Sequence, residues 1–185
     1  MLNRRAVLKY GFFGAGMLAI GGVGLGIQQT KIVEPKNPLK VLTIQEFSIL
    51  YAIANRLLPA NDRFPAASEL QVAETVDSVL ATADSFSQAE IKQVLALMEN
   101  ALVSGIFEGH TRPFTRSSPE VQDLLLQSWQ RSSIHLRRTA FKALNGLCGA
   151  AFYANPQTHE LIGYAGPPSH LLTLVRQARV DQGKN

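Results

Sequence analysis

A single cysteine, Cys148, stands among the 185 residues. It cannot close a disulfide within the chain, so a disulfide-stapled fold is excluded. It also excludes a Cys-x-x-Cys-His haem attachment and any iron–sulfur cluster held by three or four thiolates of this chain. Histidine is scarce as well: His110, His135, His159 and His170 are the only four, no two lie within four residues of each other, and no Glu-x-x-His occurs. Metal sites built on helices need such ligands at helical spacing on one inward face. A Gly-x-Ser-x-Gly elbow for acyl transfer is missing too, and no segment carries the period-two alternation of a strand. No catalytic constellation, metal site or resident cofactor is therefore expected.

Acidic residues are absent from the start of the chain, and that absence marks what is there. Arg4, Arg5 and Lys9 precede an uncharged, Gly-rich run of 17 residues, 11–27 inclusive. A cationic head before such a run is the pattern of an export signal. Asn3-Arg4-Arg5-Ala6-Val7-Leu8-Lys9 resembles the signal of the twin-arginine pathway, with Arg4, Arg5, Leu8 and Lys9 as its signal residues. An ordinary secretory signal and a membrane anchor are the alternatives. The run is long for a signal core and at the lower limit for a spanning helix, and its glycines weaken helix propensity. Gly24-Leu25-Gly26 is a weak cleavage site, so both cleavage and retention as an anchor stay open. Gly14-x-Gly16-x-x-Ala19 matches a dinucleotide fingerprint formally, but no strand precedes it.

The leader also explains the charge. The chain has 18 Lys and Arg against 14 Asp and Glu, and the first 30 residues hold three bases and no acid. The remainder carries 15 − 14 = +1, so no basic face for nucleic acid is expected.

The rest divides into a Pro-containing linker over residues 31–42 and a helical domain over 43–185. Thr43 and Glu46 form a capping box before a helix that Pro59 stops. Residues 59–65 are a turn-forming loop, and Ser68 is expected to cap a second helix. Ser87 and Glu90 are read as a second capping box, opening a helix that runs to about residue 104. Residues 105–117 form a loop pinned by Phe107 and Phe114. Ser118-Pro119-Glu120 starts a helix with Trp129 on its apolar stripe. The next helix carries Leu144, Cys148 and Phe152 on one face and is stopped by Asn155-Pro156. Residues 163–168 are a connector, and Ser169 caps a last amphipathic helix. The expectation is an all-α, small orthogonal domain of about five to seven helices behind an N-terminal signal or anchor helix.

Three segments carry a family likeness: Asn55-Arg56-Leu57-Leu58-Pro59-Ala60, the Phe152-Tyr153 pair before Asn155-Pro156, and Ile162-Gly163-Tyr164-x-Gly166-Pro167. In this order they resemble the gluconate 2-dehydrogenase subunit 3 family, the small subunits of membrane-associated, flavin-dependent sugar and polyol dehydrogenases. The resemblance implies a subunit without a redox cofactor of its own, which escorts a signal-less flavoprotein dehydrogenase catalytic subunit through the twin-arginine translocase. FAD belongs to that partner, with an iron–sulfur cluster or the haem of a cytochrome c subunit as further candidates. The complex is then periplasmic and held at the inner membrane, with residues 11–27 as a membrane contact. Candidate partner contacts are Cys148, through an intermolecular disulfide, with Tyr153, Tyr164 and Trp129 as aromatic anchors. An independent membrane-anchored helical binding module is the alternative.

Overall fold

The computed structural model describes residues 30–100 and 112–165. Arg4, Arg5, Leu8 and Lys9, the apolar run, Phe107 and the last amphipathic segment lie outside them. Among the described residues there are six α-helices and no strand: α1 (Ile44–Leu57), α2 (Val72–Leu80), α3 (Ser85–Glu99), α4 (Pro119–Arg131), α5 (His135–Tyr153) and α6 (Pro156–Leu161). A 3₁₀ turn (Phe114–Arg116) precedes α4. The all-α expectation holds.

The hub is α1, which touches α2, α3, α4, α5 and the 3₁₀ turn. Its capping box forms as the sequence predicts: Thr43 Oγ1 accepts from the Glu46 amide at 3.3 Å, and Glu46 Oε2 accepts from the Thr43 amide at 2.8 Å. Phe47, Leu50 and Ile53 are fully buried on its core face, and burial of side chains of this size stabilises by roughly 1.5–3 kcal/mol each. They meet Val72 and Val76 of α2, Leu95 and Met98 of α3, Leu125 of α4, and Leu144 and Phe152 of α5 in one apolar cluster. Phe114 is also fully buried, as expected of a residue that pins its loop.

Three helix starts differ from the sequence expectation. Ser68 does not cap α2; its amide donates to Asn55 Oδ1 at 3.0 Å, and α2 begins after Gln71, which sits at φ 52°. The cap of α3 is Asp84, whose Oδ1 accepts from the amides of Phe86 and Ser87 at 3.0 Å each. A carboxylate at that position has an earlier claim on the free amides than the Ser87 hydroxyl, which donates to Asp84 Oδ2 instead at 2.7 Å. Asn155-Pro156 ends α5 and also starts α6, because Asn155 Oδ1 accepts from the Gln157 amide at 3.0 Å and Pro156 is the first helical residue. Asn as cap and Pro at the first position are as good a start as a stop.

Residues 30–42 lie against the domain as a strap. The Lys31 amide donates to Thr115 Oγ1 at 3.0 Å and the Val33 amide to Ser48 Oγ at 2.9 Å. Asp77 of α2, only 2% exposed, accepts from three consecutive amides, Lys40, Val41 and Leu42, at 2.7, 3.1 and 2.8 Å. Lys92 adds a bond to the Val41 carbonyl at 2.8 Å.

Candidate partner-binding surface

Residues 58–71, between α1 and α2, are held by two asparagines, one on the adjoining end of α1 and one between α5 and α6. Asn55 on α1 anchors Ser68, and Asn155 before α6 reaches the Leu70 carbonyl with Nδ2 at 3.4 Å. Inside the loop, Asn61 Oδ1 accepts from the amides of Arg63 and Phe64 at 2.9 and 3.0 Å, a side-chain-closed turn of the kind asparagine favours. The turn aims Phe64 at the end of α5. Its ring lies 5.9 Å from Phe152 and 6.5 Å from Tyr153, and those two rings meet edge-on at 5.2 Å.

The same loop reaches α6. The Arg63 guanidinium donates to the Leu161 carbonyl and stacks over Phe64, 5.4 Å from its centroid. Satisfying a helix-end carbonyl with a cation suits the negative end of the helix. Gly163, at φ 70°, then closes α6: its amide donates to the Glu160 carbonyl at 3.2 Å and the Tyr164 amide to the His159 carbonyl at 2.9 Å. This paired pattern needs a left-handed residue at the glycine position. It turns Tyr164 back beside His159, with the rings edge-on at 5.1 Å. Thr158, fully buried, fastens α6 to α5 by its hydroxyl, 2.8 Å from the Asn155 carbonyl and 3.1 Å from that of Phe152.

Segments nearly a hundred residues apart thus converge at one end of the domain. They leave aromatic groups in water: Tyr153 is 47% exposed and Tyr164 46%, with Ile162 exposed between them in sequence. A rigid aromatic rim is what dominates protein interfaces, because Tyr gives large contact area at low entropy cost.

The other two candidate contacts, Trp129 and Cys148, lie in the core of the domain. Trp129 is 3% exposed, packed in the core with the Arg137 guanidinium 5.1 Å from its ring centroid. Cys148 has no exposed surface, and burial pushes its thiol up to about 12. Both side chains are packed inside this chain, and a thiol held protonated is a poor entrant to disulfide exchange. The neighbouring position Tyr153, five residues along α5, is the exposed one. Sequence reasoning did not single out Phe64 or Arg63, and it met Ile162 only as part of a family motif; the turn-forming loop over residues 59–65 was the signal that could have found the first two.

No match was found among curated proteins or among solved structures. The family model described as gluconate 2-dehydrogenase subunit 3 matches residues 44–166, from the start of α1 to just past Tyr164. That range covers about two thirds of the chain and takes in all six helices. The chain belongs to the gluconate 2-dehydrogenase subunit 3 family.

Proposed function

We propose that this chain is the non-catalytic small subunit of a periplasmic, FAD-dependent dehydrogenase of the sugar, polyol or gluconate type. It escorts the flavoprotein catalytic subunit, which has no signal of its own, through the twin-arginine translocase and stays bound to stabilise it. A cytochrome c subunit is a further partner. The redox groups, FAD and an iron–sulfur cluster or haem c, reside in those partners. The observation that carries this reading is the match of a dehydrogenase-subunit family to a domain in which two of the motif-bearing segments, through Tyr153, Ile162 and Tyr164, build an exposed aromatic end. The buried thiol supports it, since the chain's one cysteine is held in its unreactive form.

Export by this route rests on Arg4-Arg5 before an apolar run. Arg4→Lys with Arg5→Lys is the test. Retention of both this chain and a flavin-containing partner in the cytoplasm supports the escort role. Normal export of an active partner beside the double variant contradicts it.

A further inference from the structure

We infer that Arg63 is a positioning residue for partner binding, the clamp that holds the Tyr164 half of the aromatic end in register with the Tyr153 half. The inference rests on reading that end as the dock for the flavoprotein subunit; it adds what joins two separately supported segments into one surface.

The two halves differ in what holds them. Tyr153 closes α5, and its ring meets that of Phe152, a core residue, at 5.2 Å. Tyr164 follows α6, which has six residues and supplies none of the side chains in the apolar core of the described residues. A helix that short does not hold itself in water, so α6 keeps its place by polar bonds. At its start, Asn155 caps it and the Thr158 hydroxyl ties it to the Phe152 carbonyl at 3.1 Å. At its end, three carbonyls are met by the chain's own amides: Ile162 donates to Thr158 at 3.2 Å, Gly163 to Glu160 at 3.2 Å and Tyr164 to His159 at 2.9 Å. The Leu161 carbonyl, the last of the helix, accepts instead from the Arg63 guanidinium, brought across from the loop between α1 and α2. That guanidinium also lies 5.4 Å from the Phe64 ring centroid, and Phe64 meets Tyr153 edge-on at 6.5 Å. Arg63 thus links Tyr153, through Phe64, to the last turn of α6, and its own amide is fixed to Asn61 Oδ1 at 2.9 Å.

A partner that needs both tyrosines binds only while α6 is seated, and its apparent affinity falls with the seated fraction. Loss of the clamp can therefore weaken binding by no more than the factor by which it raises opening of α6. Amide exchange at Gly163 and Tyr164 reads that factor.

The test compares the full-length parent chain, Arg63→Ala and Arg63→Lys in mild detergent, each titrated with the flavoprotein subunit recovered with the parent chain from host membranes. Arg63 is exposed, so the unfolding midpoint should hardly move. In Arg63→Ala, exchange at Gly163 and Tyr164 is expected to quicken by about two- to tenfold, the factor of one ordinary hydrogen bond. The apparent Kd rises by no more than that factor, and exchange across α5 is unchanged. Arg63→Lys, which keeps a cationic donor, falls between the two on both scales. An unchanged Kd, beside weakened binding by the chain with Tyr153→Ala and Tyr164→Ala, overturns the clamp and leaves the dock standing. A Kd raised further than exchange, or restored by Arg63→Lys while exchange stays fast, makes Arg63 a direct contact and overturns the positioning role. A parent chain that brings down no flavoprotein overturns the dock and the inference with it.

Discussion

Arg56, in the last turn of α1, grips Asp123 of α4 with two parallel hydrogen bonds, Nε to Oδ1 at 2.7 Å and Nη2 to Oδ2 at 2.5 Å. Both side chains are partly exposed. The pair raises the guanidinium further above its ordinary range, chiefly through the hydrogen bond to Asp123. Arg56 stands in a motif that carries the family likeness, yet its role in this fold is to tie the end of the central helix to α4. Its planar fork suits two bonds to one carboxylate in a way a lysine does not. Arg56→Lys and Arg56→Ala should each cost about 0.5–1 kcal/mol, the range of a well-formed, partly exposed ion pair. Chemical denaturation reads it; unchanged midpoints would make the pair ornamental.

Asp77 is the fastening of the strap, with three amides on one buried carboxylate. Asp77→Asn keeps the shape but turns an amide donor toward amide donors. A loss of about 1–3 kcal/mol is expected, the cost of leaving a buried donor unsatisfied. Hydrogen exchange at Lys40, Val41 and Leu42 should rise ahead of exchange in α1. If those amides stay as protected as in the parent chain, the strap is held by other contacts.

Glu99 sets a pH dependence. Burial raises its pKa, with its bonds from Thr115 acting in the opposite direction. The folded state therefore holds this proton more tightly than the unfolded chain does. Its contribution to stability is fully present below the ordinary carboxylate range and is lost as pH rises through the raised value. Glu99→Gln should remove that part of the decline, so the variant gains on the parent chain as pH increases through that window. Parallel stability curves for the two chains would contradict it.

Cys148, at about 12 and without exposed surface, should resist thiol reagents in the folded chain and react once denaturant opens the core. A non-reducing gel of the complex should show no band linked through it. Rapid labelling of the native chain would place the thiol at the surface and restore the disulfide reading.

Much of the fold was legible because it depends on local signals. Thr43 and Glu46 form their box, and Pro119 opens α4 as the first helical residue, since capping needs only neighbours in sequence. Local competition blurred other starts: Ser87 and Glu90 look like a box, but Asp84 lies three residues earlier and takes the free amides. Asn155-Pro156 has two meanings, stop and start, and only the first was read, which hid α6. Position on a helix gave Trp129 and Cys148 their apolar face but not their depth, because depth is decided by what α4 and α5 pack against. The aromatic end was half visible. Tyr153 and Tyr164 are plain in the sequence, while the joining of Phe64 and Arg63 to α5 and α6 is a contact across about ninety residues that no local pattern encodes.

The central claim is that this aromatic end docks the flavoprotein subunit, and Tyr153→Ala with Tyr164→Ala tests it. Both rings are nearly half exposed, so the cost to the fold is confined to edge-on contacts with Phe64, Phe152 and His159, about 0.5–1.5 kcal/mol each. The measurement is the flavin-to-chain ratio when each full-length chain is recovered in mild detergent from the membranes of its own host, with unfolding midpoints recorded beside it. The account predicts a flavin-containing partner with the parent chain, and with the double variant a ratio lower by about tenfold or more, as for the loss of interface anchors, on a domain that still folds. An undiminished ratio with the double variant, or a parent chain that comes down alone and colourless, would contradict it.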